Sequence, residues 1–308
     1  MSPSIDRRIY PFEGRRFDRG AGIRMHYLDE GPPDGPPIVM VHGNPSWSIY
    51  WRALVLAMRD RHRCIVPDHV GMGLSDKPGD RDYEYTLTSR IDDLEKLLDS
   101  LGIDGDVTLA VHDWGGGIGF GWATRFPERV KRLIVLNTAA FHLPRAKSFP
   151  AALAFTRTPL GALLVRGGNA FARGAARTCV TRRPMSPELR RAYLAPYADW
   201  DSRIATLRFV QDIPLSPGDR AYGAISEMSS KLDAFRDTPT LIAWGMRDFI
   251  FDRHFLEEWE RRLPHAEVHR LEDAGHYVLE DAPEVIVSIA QRFLEAHPLA
   301  REARAATT

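Results

Sequence analysis

The chain predicts an α/β fold: a mostly parallel, doubly wound sheet carrying an inserted helical cap. Three observations lead there. Short β-branched apolar runs alternate with amphipathic helical stretches. Several of those runs, Ile38-Val39-Met40-Val41 among them, are apolar without alternation, as strands covered on both faces are. The rhythm then breaks at Asn137 and resumes near Ile225. At 308 residues the chain fits one α/β domain with an insertion, or two small domains.

Taken in order, residues 1–14 are expected to form an extended arm. Arg16 to Arg19 and Ile23 to Asp29 are strand candidates parted by the hairpin turn Gly20-Ala21-Gly22. The Pro/Gly cluster from Gly31 to Pro37 is a loop. Ile38 to Val41 is a strand that ends in His42-Gly43-Asn44-Pro45. Trp47 to Met58 is expected helical, Arg63 to Pro67 a strand, and Asp68 to Pro78 a Gly-rich loop. Thr86 to Leu101 places Leu87, Ile91, Leu94, Leu97, Leu98 and Leu101 at three- and four-residue steps, one face of a helix. Val107 to Val111 is a buried strand, Gly117 to Phe126 a helix, and Val130 to Leu136 a further strand. From Ala140 to Ala224 no β-branched run appears. Prolines 144, 150, 159, 184, 187, 196 and 214 instead punctuate several short helices. The rhythm returns with a helix at Ile225 to Phe235, a strand at Thr240 to Trp244 and a helix at His254 to Leu263. A strand at Glu267 to Leu271 and a helix at Pro283 to His297 follow, with Pro283 in the first turn. The tail from Pro298 is expected to fray. The division predicted is a core of residues 1–139 and 225–308, with a cap, 140–224, inserted after the sixth strand.

Lys+Arg and Asp+Glu balance at 41 each, so overall charge gives no argument for nucleic acid. The two cysteines, Cys64 and Cys179, offer neither a disulfide framework nor metal-ligand spacing, and no cofactor is implied. The first ten residues lack the apolar centre of a signal peptide, and no apolar run is long enough to span a membrane, so a cytoplasmic location is expected. Oligomeric state is open.

The chemistry gathers at predicted strand ends, where ligands sit in such sheets. Val111-His112-Asp113-Trp114-Gly115-Gly116 joins a strand to a helix. A reactive side chain at that sharp turn, with a small residue two places on, is a nucleophile elbow whose nucleophile is Asp113. Val111 stands where such elbows usually have glycine. An acid and a late histidine follow, Asp248 and His276, in the chain order nucleophile, acid, base. His276 handles the proton, and Asp248 orients the imidazole and offsets its charge. Asn137, at another strand end where an acid could sit, is neutral, which favours Asp248. Asp252 and Asp273 are weaker alternatives, Asp273 as a turn former. Asn44 and Trp114 supply side-chain N–H donors for a leaving group, and their backbone N–H groups are candidate oxyanion donors. His42 and His112 read as scaffold. Phe141, Phe209 and Ile213 are the candidate pocket residues of the cap.

These motifs together resemble the haloalkane dehalogenase branch of the α/β-hydrolases, over about Arg16 to Phe293. The resemblance implies that Asn44 and Trp114 bind a leaving halide, and in it valine at 111 is normal. Asn44 to Arg52, Pro67 to Pro78 and Phe209 to Leu215 further resemble the β-lactone decarboxylases of bacterial long-chain olefin biosynthesis, which share the triad. The resemblance implies a small hydrophobic substrate. In a dehalogenase the Asp113 carboxylate displaces halide and water hydrolyses the ester. In a decarboxylase it opens a strained four-membered ring, and carbon dioxide and an alkene leave. An epoxide hydrolase would need cap tyrosines, for which Tyr193, Tyr197 and Tyr222 are candidates, but Asn44 stands where that family usually has an aromatic. A non-catalytic relative would lack a triad member, and none is lacking.

From Phe141 to Val210 there are twelve basic residues and three acidic ones, in a chain that is neutral overall. Between Ala151 and Ala176 the arginines are interleaved with apolar residues. This face is expected either to be merely solvated or to dock an acidic protein partner or an anionic membrane surface.

Overall fold

The structure is a computed structural model that describes residues 5–299 and Glu302. Eight strands form one sheet: β1 (Arg15–Asp18), β2 (Arg24–Glu30), β3 (Pro37–Val41), β4 (Arg63–Pro67), β5 (Val107–Asp113), β6 (Val130–Thr138), β7 (Thr240–Gly245) and β8 (Glu267–Leu271). Their spatial order is β1-β2-β4-β3-β5-β6-β7-β8. Only the β1/β2 and β2/β4 pairs are antiparallel. The chain leaves β3 toward β4 on one side and returns to β5 on the other, so the crossovers diverge at β3 and β5 and open a crevice above their carboxyl ends.

The unalternating apolar runs serve two cores. Val39, Val41, Leu109, Val111, Leu133 and Val135 face one, while Ile38, Met40, Ala110, Ile134 and Leu136 face the other. Each fully buried aliphatic side chain of this kind contributes about 1.5–3 kcal/mol. On the first face α2 (Leu87–Ser100) buries Leu87, Ile91, Leu94 and Leu98, its start capped by the Thr86 hydroxyl accepting from Ser89 N. On the second, α1 (Arg52–Met58) packs against α12 (Pro283–Ala296).

Some local expectations shift. The helix over Trp47–Met58 is a tight 3₁₀ turn, Ser48–Trp51, followed by α1, because tertiary bonds hold that turn. Ser48 N donates to the buried Asp68 carboxylate at 2.6 Å, and the Ser48 hydroxyl meets Tyr10 Oη at 2.6 Å. The arm is not free: Tyr10 and Phe12 are buried, Tyr10 against Trp47. The helix after the elbow, α3 (Trp114–Ala123), starts three residues earlier than the pattern suggests. Its glycines look like helix breakers, yet it packs too close to the sheet for side chains. A Cβ at Gly115 would lie 1.9 Å from the Val41 carbonyl oxygen, and one at Gly119 would lie 2.7 Å from Val111 Cγ1. Val111 thus fits where an elbow usually has glycine because Gly119 makes room.

Between β6 and β7 the chain builds α4 (Ala151–Thr156), α5 (Pro159–Gly168), α6 (Ala170–Thr178), α7 (Pro187–Leu194), α8 (Ile204–Gln211) and α9 (Tyr222–Lys231). Of these α9 lies on α3. After β7 come α10 (Arg253–Arg262) and, beyond β8, α11 (Val278–Asp281) and α12. The tail expected to fray lies, past residue 299 and apart from Glu302, outside the described residues. No helix among the described residues is long and apolar enough to cross a membrane.

Candidate active site

Asp113 sits at the tip of β5 with φ 52° and ψ −126°, a conformation that only a surrounding scaffold can hold for a residue with a side chain. The scaffold is visible. Thr138 Oγ1 donates to the Asp113 carbonyl, and Gly115 lets α3 press against β3. Gly43 has to lack a side chain because its Cβ would fall 2.0 Å from Asp113 Oδ1. That oxygen accepts from Asn44 N at 2.6 Å. The other, Oδ2, is 3.5 Å from His276 Nε2.

His276 follows β8 in a loop, and its Nδ1 meets Asp248 Oδ2 at 2.8 Å. Asp248 stands just past β7; its Oδ1 accepts from Ile250 N at 2.7 Å. The three predicted catalytic side chains are therefore brought together in one buried line, Asp113–His276–Asp248. Burial opposes the charge on His276, but Asp248 and Asp113 on its two sides outweigh it and raise its pKa to about 10. Burial likewise opposes the Asp113 carboxylate, yet the His276 ring 3.5 Å away and the Asn44 N–H hold it below the ordinary value. At neutral pH Asp113 and His276 therefore rest as a carboxylate beside an imidazolium.

Asn137, set aside in the sequence because it is neutral, has a part. The pairing of β5 with β6 shifts register beyond His112 and Leu136, so that Asp113 faces Thr138 and Asn137 is the extra residue. This bulge re-aims its side chain. Nδ2 donates to Asp248 Oδ2 at 2.9 Å, and Oδ1 accepts from Gly245 N at 2.8 Å. Asp281, which carried no sequence signal, accepts from Gly275 N at 2.6 Å and from Thr181 N and Arg182 N at 3.0 Å, clamping the His276 loop to the cap. Asp273 is exposed and pairs with Arg182, and Asp252 caps α10 while pairing with Lys147; neither reaches His276.

His112 donates from Nε2 to the His276 carbonyl at 2.9 Å and stacks on Tyr50. Burial, then the neighbouring His276 charge, lowers its pKa to about 3, so it is a neutral strut. His42 Nε2 accepts from His69 N, and His69 Nε2 bonds the His42 carbonyl at 2.9 Å. Both rings hold the His42–Pro45 loop.

Under the cap an apolar cavity has two lobes, of about 130 and about 200 Å³. The first holds Asp113 and Trp114 and is walled by Phe141, Ile213, Phe251 and Phe255. The second reaches His276 between α4, α5 and α6. Asn44, Leu153, Phe171 and Ile250 border both. Phe209 is a correction. It does not line either lobe; it lies behind Trp114, ring centroids 5.4 Å apart, with the Arg90 guanidinium 3.6 Å from its own centroid. It lies on the buried side of α8. The donor assignment also changes. Asn44 N is committed to Asp113 Oδ1, and Asn44 Nδ2 gives one hydrogen to the Thr206 carbonyl of the cap at 3.0 Å, leaving the other. No described residue accepts from the Trp114 indole N–H. The cap tyrosines point elsewhere: Tyr193 Oη bonds Glu280 and Tyr197 Oη bonds Met72 Sδ, while Tyr222 packs at a tilt against the His142 ring, centroids 4.2 Å apart. Among the described residues no group of three or more His, Cys, Asp or Glu side chains could hold a metal ion.

The family model for the alpha/beta hydrolase fold matches residues 36–283. This chain belongs to the α/β-hydrolase fold family. Among the relatives of this α/β-hydrolase, a cis-3-alkyl-4-alkyloxetan-2-one decarboxylase of Shewanella oneidensis is 55% identical, over 93% of this chain and 89% of that protein. Another of that name, from Xanthomonas campestris pv. campestris, is 54% identical over 94% of this chain and 98% of that one. Among solved structures, a haloalkane dehalogenase from Bradyrhizobium elkani superposes with a TM-score of 0.80 at 30% identity, covering 92% of this chain and 98% of that one.

Proposed function

We propose that this α/β-hydrolase is a β-lactone decarboxylase that converts a cis-3,4-dialkyl oxetan-2-one into an alkene and carbon dioxide. The observation that carries the reading is a pair of apolar lobes that share Asn44, Leu153, Phe171 and Ile250, one lined by Asp113 and the other by His276, joined to likeness at 55% identity with an enzyme named for that substrate class. A ring with two alkyl arms needs two apolar channels that diverge from the nucleophile.

The polar geometry favours attack on the ring carbon that bears oxygen. A carbonyl attack would build an oxyanion on the substrate, yet the Asn44 backbone N–H is already bound to Asp113 Oδ1. Asp113 Oδ2 forms a bond to that ring carbon, and the carbon–oxygen bond breaks. The electron pair goes to the ring oxygen and frees a carboxylate. Trp114 Nε1–H and the remaining Asn44 amide hydrogen stabilise it where a halide would sit. The bond between the neighbouring carbon and the carboxylate then breaks. Its pair forms the alkene, the ester bond to Asp113 breaks, and carbon dioxide leaves. Asp113 is regenerated, and no water or net proton is consumed. The imidazolium of His276 balances charge throughout.

A second reading, haloalkane dehalogenation, rests on the same Trp114 and Asn44 donors and on the likeness to the solved dehalogenase. It needs His276 as a neutral base. Esterification of Asp113 removes one of the two charges that raise the His276 pKa, which makes that step chemically accessible. Cytoplasmic placement is part of the proposal, supported by two buried free cysteines. Incubation with a long-chain cis-β-lactone and, separately, a bromoalkane tests it, with alkene, carbon dioxide and bromide measured. Alkene from the lactone alone supports the decarboxylase. Bromide at a comparable rate supports the dehalogenase, and Asp113→Asn must abolish either.

A further inference from the structure

The outer face of the cap is unlike the rest of the surface. Among the described residues, nine large apolar side chains are exposed, and five of them, Phe155, Leu160, Leu163, Leu164 and Phe249, cluster by sequence and by cavity. Leu160, Leu163 and Leu164 share one face of α5, at i, i+3 and i+4, with Leu160 58% and Leu163 54% exposed. Phe155, Leu164 and Phe249 rim the second lobe, the one that runs to His276. The apolar patch and the mouth of the cavity are therefore continuous.

The segment that builds this mouth is basic. Phe141 to Pro187 contains eight basic residues and no acidic one. Some of these cations are spoken for. Lys147 pairs with Asp252, Arg157 with Asp219 and Arg182 with Asp273. Arg166, one of the arginines between Ala151 and Ala176, is turned against the Trp200 ring and Asp201. Arg173 and Arg177 differ. They are exposed, one turn apart on α6, and carry no ion pair among the described residues, while Gly174 and Thr178 of the same helix line the mouth. An apolar rim with unpaired cations beside it matches the boundary of an anionic bilayer, apolar within and negative at its surface.

We propose that the α4–α6 face seats on an anionic lipid surface, so that the apolar substrate passes from bilayer to the second lobe without crossing water. The delivery half of this rests on the proposed long-chain substrate; the docking half does not.

The test is cosedimentation of the full chain with vesicles of phosphatidylcholine, with and without phosphatidylglycerol, at low and high salt. The expected result is sedimentation with the anionic vesicles that weakens as salt rises. Arg173→Glu combined with Arg177→Glu should lower the partition coefficient roughly tenfold or more, since each arginine near such a surface contributes about fivefold. Leu160→Ser combined with Leu163→Ser should weaken binding as well, through lost apolar insertion. Both double variants should keep wild-type turnover of a short-chain, water-dispersed β-lactone, which also shows that they fold. Absence of sedimentation, or sedimentation unaltered by either pair, overturns the proposal. Retention on polyglutamate without vesicle binding overturns it in favour of an acidic protein. Failure of the wild type to turn over the short lactone would strike the functional reading alone and leave the vesicle result standing.

Discussion

The core and the cap handle charge in opposite ways. In the core Asp113, Asp248 and Asp281 are buried, and each carboxylate is met by backbone N–H groups, an imidazole or an amide. In the cap, apart from the buried Arg203, several arginines sit in half-solvated pairs or stand alone at the surface, among exposed leucines. A buried carboxylate without partners would neutralise or unfold its surroundings, so its partners fix its position closely. A surface arginine is fixed by nothing so strict. On the proposed function the contrast divides the work: bond making falls to the core, and the cap shares in choosing the substrate and its approach.

Changes in the core should strike turnover itself. Asp113→Asn is expected to lower kcat by about 10⁴-fold or more with the fold intact, read by alkene formation and far-ultraviolet circular dichroism. The same substitution removes one of the two charges flanking His276, so its pKa should fall from about 10, read by NMR titration. An unmoved pKa would break the claim that the three side chains form one electrostatic unit. Asp248→Ala should cost about 10²–10⁴-fold in kcat, since His276 loses its orienting partner.

Next in size is the clamp. Asp281→Ala leaves the buried N–H of Gly275, and those of Thr181 and Arg182, without their acceptor. Stability should drop by roughly 2–4 kcal/mol in urea denaturation. Asn137→Ala removes a single neutral donor to Asp248, and kcat should fall by about tenfold while KM stays. In the cap, Ile213→Trp should fill the first lobe and raise KM for long alkyl arms by about tenfold with kcat for short ones retained. A loss of kcat for all chain lengths would blur the division between core and cap.

The pH dependence follows from the same charges. A histidine whose folded pKa is raised stabilises the fold fully below its unfolded value near 6.5 and ceases to do so as pH rises through about 10. Decarboxylation should therefore hold its rate from neutral pH until that range and decline above it, as the imidazolium loses its proton. A rise in rate with pH across 6–8 would instead mark His276 as a free base.

How far the sequence could be read depended on the kind of signal. Asp113, Asp248 and His276 were legible because strand ends in an alternating α/β pattern converge on one edge of the sheet, whatever the loops do. The glycines of α3 misled about where the helix begins, since only the tertiary approach of β3 shows why they are there. Asn137 was judged by charge, whereas its role comes from a bulge that no periodicity reveals. Phe209 was misplaced because resemblance of a cap segment does not tell which side of α8 meets the cavity, and its ring packs behind Trp114 instead. Short helices packed by arginine–aromatic contacts, such as Arg90 on Phe209, leave little trace in a pattern of apolar residues.

One measurement bears most directly on the central claim that Asp113 opens a dialkyl β-lactone in a two-lobed cavity. Purified enzyme is given a long-chain cis-3,4-dialkyl oxetan-2-one and, in a parallel reaction, a bromoalkane of matched length, with wild type beside Asp113→Asn. The account predicts stoichiometric alkene and carbon dioxide from the lactone, bromide release slower by orders of magnitude, and neither product from the variant. Alkene formed at an undiminished rate by Asp113→Asn, or bromide released as fast as alkene, would contradict it.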